Sequence, residues 1–83
     1  ARIAERRPLL KELEQLERNM AQMQTDKQVC DERLNDTALY SASDKTELQQ
    51  LLKTQAELTS KLETAEERWL ELHEQLEALP EIN

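Results

Sequence analysis

The only histidine of the 83-residue chain, His73, is followed one helical turn later by Glu77, a spacing that can offer two metal ligands on one face. A zinc protease pattern would need a second histidine at 77, and a bundle di-iron pattern would need a glutamate at 70, where Leu70 stands. A solvated, salt-bridged His73 is therefore expected, and no metal site. Cys30 is the only cysteine. It has no histidine nearby in sequence, and a free thiol behaves more often as a small buried hydrophobe than as a nucleophile. No nucleophile, base and orienting group can be assembled, so no catalytic residue is expected and an enzyme is the least favoured class. Trp69 is the single tryptophan in a chain with one tyrosine and no phenylalanine. Its indole could stack on a ligand, wedge into nucleic acid or anchor a core.

Charge narrows the partners. Net charge is −7, which averaged over the chain repels nucleic acid and anionic membrane. The distribution is uneven: Arg2, Arg6, Arg7 and Lys11 face Glu5 alone at the start, whereas seven glutamates face Lys61 and Arg68 from residue 61 onward. The four cations are the candidate contact for nucleic-acid phosphates. With no aromatic side chain beside them to stack on bases, such contact would be blind to sequence.

The elements that must position these groups follow from composition and periodicity. There is no glycine, there are two prolines, and charged residues make up 35 %. That profile suits long helices and leaves little material for a catalytic pocket. Leu9, Leu13, Leu16, Met20, Met23, Lys27, Cys30 and Leu34 step alternately by four and three. So do Leu48, Leu51, Gln55, Leu58, Leu62, Ala65, Trp69, Leu72, Leu76 and Leu79 once begun. Two apolar heptad runs separated by the polar stretch NDTALYSASDKT predict an all-α fold, a two-helix antiparallel coiled-coil hairpin. Residues 1–7 read as the end of a basic linker and residues 8–83 as the hairpin. Helix one is expected over about 8–35, the break over about 36–44 and helix two over about 45–79. Pro8 suits a first turn, Asp44 with Glu47 resembles a capping box, and Pro80 ends the second run.

One register pairs Leu34 with Leu51, Met20 with Ala65, Leu16 with Trp69, Leu13 with Leu72 and Leu9 with Leu76, and a shift by one heptad step stays open. Leu13, Leu16, Leu62, Trp69 and Leu72 are then the seam anchors, and packing outweighs a ligand role for the indole. Met20 and Met23 read as gap-filling core. Lys27 and Gln55 are the two polar intrusions, in the half nearer the break. They either fix the register or leave that half loose enough to deform on a partner. Leu39 and Tyr40 fall at the tip, where they either fold over the end of the seam or form an apolar knob for a partner.

A D-T-A-L-Y break at residues 36–40, followed about 30 residues later by E-E-R-W-L-E-L at 66–72, resembles the C-terminal coiled-coil domain of the ABC-F proteins, the Uup-like soluble ATP-binding cassette ATPases. RRPLLKELEQLE at 6–17 is similar to the charged linker running into its first helix. The resemblance covers nearly the whole chain. It implies a non-catalytic hairpin attached after nucleotide-binding domains of a protein that is not a membrane transporter. Those domains would bind ATP and Mg; this chain, with no glycine for a phosphate loop, is expected to hold no cofactor. The family's action on the ribosome implies the ribosome or rRNA as partner. A Uup-like domain also implies DNA, which the net charge disfavours. Self-association into a four-helix bundle is the structural alternative, making the chain a homo-oligomer. No apolar run approaches 18 residues and no signal peptide is present, so no membrane contact is expected. The lone cysteine fits a reducing, cytoplasmic setting. Because the chain opens on Ala1, it reads as a piece of a longer protein.

Overall fold

A computed structural model describes residues 2–80, with side chains described from residue 4 onward. Three helices follow in order: α1 (Arg2–Leu34), α2 (Thr37–Ser41) and α3 (Thr46–Ala78). The molecule measures 65 × 14 × 14 Å. Thirty-three helical residues span about 50 Å, and all 83 in one rod would exceed about 120 Å. The chain therefore doubles back, with α1 lying antiparallel along α3. This is the all-α hairpin expected from the heptads.

The seam forms where the periodicity puts it. Every heptad position from Leu9 to Leu34 and from Leu48 to Leu79 is buried or half-buried, so the zip runs without a skipped turn. Near the termini Leu13, Leu72 and Leu76 make one buried cluster, with Leu9, Leu16 and Trp69 packed against it. Near the tip Cys30, Leu34 and Leu39 make a second, backed by Leu48 and Leu51. Leu62 and Ala65 are buried between the two. Among the described residues, Leu72 is the one large side chain that is fully enclosed.

Three expectations about helix ends need correction. Helix α1 begins at Arg2 and not near residue 8, so Pro8 lies inside it and Arg2–Arg7 are helical. A proline deletes one N–H and crowds the carbonyl four residues back. Here that affects a single leading turn, and Arg6 ties the turn to the end of α3 by donating from Nη1 to the Leu76 carbonyl at 3.3 Å. The capping box at 44–47 does not form. Asp44 Oδ1 accepts from the Thr46 N–H at 2.9 Å and from its hydroxyl at 2.7 Å, but the Glu47 carboxylate turns to Arg33 instead of back to the cap. The break itself contains helix α2, capped by Asp36, whose Oδ1 accepts from the Ala38 N–H at 3.0 Å. No described residue has positive φ, so the reversal is made by a one-turn helix laid across the end of the seam, with no need of glycine. At the other terminus Leu79 is extended, φ −74° and ψ 135°, as the residue before Pro80 must be.

Candidate functional site

At the base, four expected cations separate into different roles. Arg6 is half-buried and spends its guanidinium on the Leu76 carbonyl in the last turn of α3, which also accepts from the Leu79 N–H at 3.3 Å. Arg7 and Lys11 are exposed. The Arg2 side chain lies outside the described residues. Arg7, Lys11 and Arg18 fall within about 40° of one another around the helix at 100° per residue. Their stripe points away from the seam. Arg18 joins it without having been singled out in sequence, although the expected helix over 8–35 already aligns it with Lys11; only the place of Arg7 needs α1 to run through Pro8. It is held to Glu14 at 2.6 Å in an exposed pair.

His73 departs from the solvated ion pair expected of it. It is half-buried, its ring centroid lies 4.1 Å from that of Trp69 at an interplanar angle of 55°, and its Nε2 is enclosed without a hydrogen-bond partner. The reason is periodicity: position 73 follows Trp69 by one turn and sits at the edge of the seam. Arg6, His73, Leu76, Glu77 and Leu79 line a hollow of about 350 Å³ there. His73 and Glu77 do share this hollow, but among the described residues no third His, Cys, Asp or Glu joins them to make a metal site. Cys30 is buried and its thiol donates to the Leu51 carbonyl at 3.1 Å.

Among the described residues, two interhelical ion pairs lock the hairpin, one toward each end. Arg68 is bidentate on Glu12, at 2.5 and 2.8 Å, and also reaches Glu71 at 2.9 Å. Near the tip Arg33 bridges Glu47 at 2.6 Å and Asp36 at 2.7 Å. The hydrogen bond from Arg68 holds the Glu12 carboxyl below the usual carboxylate range, and that from Arg33 does the same for Glu47. A carboxyl depressed on folding contributes stability that is present above its unfolded value and is lost as pH falls through the folded one. The melting difference between the parent chain and Glu12→Gln should therefore be present at neutral pH and close on acidification below the ordinary glutamate range. A gap that persists in acid would show that the pair does not couple folding to protonation.

In the half nearer the tip, the two polar intrusions meet on Asp31. Gln55 donates across the seam to Asp31 Oδ1 at 2.8 Å, and Lys27 donates to Asp31 Oδ2 at 3.0 Å. The hydrogen bond from Gln55, then that from Lys27, lowers the Asp31 carboxyl below its ordinary value. At the tip the two candidates part. Leu39 is 4 % exposed and seals the seam against Cys30 and Leu34, so it is a core residue and not a contact knob. Tyr40 is 50 % exposed, and Lys45 donates to its carbonyl. Of the seam anchors, Leu13, Leu62 and Leu72 are buried, while Leu16 and Trp69 are half-buried against the Leu13–Leu72–Leu76 cluster.

A hollow of about 590 Å³ beside Lys11 is lined by α1 residues only, from Pro8 to Arg18. It is a groove on one helix and not a cleft between elements, so what the molecule presents is surface: a cationic stripe at the base and an exposed tyrosine at the tip. No described helix is long and apolar enough to cross a membrane. Comparison with curated proteins and with solved structures gave no match. The profile of the ABC transporter C-terminal domain matches residues 6–74, which takes in both long helices and the tip between them. The chain is a member of that family, a C-terminal domain of an ATP-binding cassette protein.

Proposed function

We propose that this hairpin is the non-catalytic interaction domain of a cytoplasmic ABC-F type ATPase, and that it works as a strut reaching the ribosome. The observation that carries the reading is the pairing of a 65 Å hairpin with exposed cations on the outward side of its base. Arg7, Lys11 and Arg18 face away from the seam, where rRNA phosphates can meet them without disturbing the zip. Tyr40 supplies the exposed apolar contact at the far end. ATP and Mg belong to nucleotide-binding domains outside these residues, and the hairpin contributes position rather than chemistry. Duplex DNA is the second reading, since the same stripe would accept its phosphates. The six glutamates from Glu63 to Glu77 weigh against a long duplex lying along the rod.

The test is binding of the 83-residue chain to purified ribosomes and, separately, to duplex DNA across a salt series. Binding to ribosomes should weaken steeply with salt, and Arg7→Glu with Lys11→Glu should abolish it while helicity is retained. Each phosphate contact contributes a slope of about 0.7–0.9 in log affinity against log salt. Tighter binding to duplex than to ribosomes at equal salt would transfer the role to DNA. Binding that ignores the charge reversal would remove the stripe from the mechanism.

A further inference from the structure

Leu52 and Leu70 are 48 % and 54 % exposed on α3. They lie 18 residues apart, five turns at 3.6 residues per turn, so they share one stripe. That stripe is separate from the seam, whose nearby members are Leu51 and Leu72. It also avoids the side of α3 that carries the interhelical ion pairs: Leu70 is about 200° round the helix from Arg68, and Leu52 about 140° from Glu47. Between the leucines the stripe carries Ala56 and Thr59, small enough for another backbone to come close, and then two acids, Glu63 and Glu66.

Charge along α3 is split about the middle of this stripe. Lys45 to Lys61 carries three lysines against two glutamates, and Leu62 to Leu79 carries six glutamates against Arg68. Two copies of α3 packed parallel would set glutamates against glutamates. Packed antiparallel, each acidic half meets the other copy's less acidic half, Lys53 falls level with Trp69 between Glu67 and Glu71 of the second copy, and Leu52 meets Leu70 twice by symmetry.

We infer that this face of α3 is the contact between two copies of the chain, joined antiparallel about a two-fold axis near residues 59–63. The contact is isologous, so it closes at a dimer. It leaves the outward stripe of α1 free and does not depend on what that stripe binds.

Crosslinking tests orientation and occupant together. In a Cys30→Ala background, Leu52→Cys and Leu70→Cys chains are prepared separately, both sites being exposed. On oxidation the mixture should give a covalent 52–70 dimer, while either chain alone gives little. Sedimentation of the parent should show a dimer, and Leu52→Glu with Leu70→Glu should return it to monomer with helicity unchanged. A parent that stays monomeric up to its solubility limit overturns the inference. So does crosslinking of either single variant as readily as the mixture, which marks parallel or random contact.

Discussion

Leu72→Ala should melt about 15 °C below the parent chain, with Trp69 emission shifting to the red as its packing partner is lost. Leu72 has no exposed surface and joins Leu13 and Leu76 in the core at the base. Removing a buried leucine to alanine costs about 2–5 kcal/mol, the lost transfer energy plus the cavity left behind. A domain of this length has about 4–12 kcal/mol in total. One kcal/mol moves the midpoint of such a domain by about 4–8 °C. Leu70→Ala, two residues away on the same helix and half exposed, should stay within about 0.5 kcal/mol of the parent in dilute solution. The contrast between neighbours is the informative result, because composition and helix propensity are the same for both. Thermal melts by circular dichroism measure it. If the two substitutions melt alike, the zipped seam is not what holds the hairpin.

The same periodicity explains how far the sequence could be read. Seam positions are legible because each is set by its neighbours three and four residues away, and the heptads needed no knowledge of the partner helix. Leu13, Leu62 and Leu72 were found this way. The register, by contrast, rests on which residues meet across the seam, and the Gln55–Asp31 and Arg68–Glu12 contacts exist only once it is set. Asp31 and Glu12 carry no signal of their own among so many acidic residues. Local rules failed where tertiary contacts override them. Pro8 reads as a start, yet the turn before it is helical and docked through Arg6. The 35–46 stretch reads as a turn because it is polar, but Leu39 gains enough by sealing Cys30 and Leu34 to bring a short helix with it. His73 was read from its glutamate neighbours, whereas the contact that places it is Trp69, one turn back. A partner leaves even less trace, since an exposed arginine in a solvated helix and one waiting for phosphate have the same local sequence.

Replacing Lys27 and Gln55 together by leucine should raise the melting midpoint by about 5 °C and yet give a less uniquely folded chain. Both positions are half-buried on the seam, and leucine would continue the apolar stripe through the layer that now separates the two clusters. Full burial of a leucine gains about 1.5–3 kcal/mol, and half burial about half of that. Against it stands the loss of two hydrogen bonds to Asp31, about 1 kcal/mol each or less where water can replace them. Asp31 is itself only half-buried, so it can turn to solvent when its partners go. The net gain is then on the order of 1 kcal/mol. What is lost is discrimination. With Gln55 bonded to Asp31 at 2.8 Å, a slide of one heptad step strands the Gln55 amide against apolar neighbours, while Asp31 keeps Lys27 of its own helix. With leucine at 27 and 55, the shifted hairpin packs nearly as well as the native one. Amide spectra of the double variant should show a second set of signals for residues flanking the layer, alongside the higher midpoint. A single set of signals would mean that the polar layer does not choose the register, and would leave it the other role, a soft point at which the distal half yields to a partner.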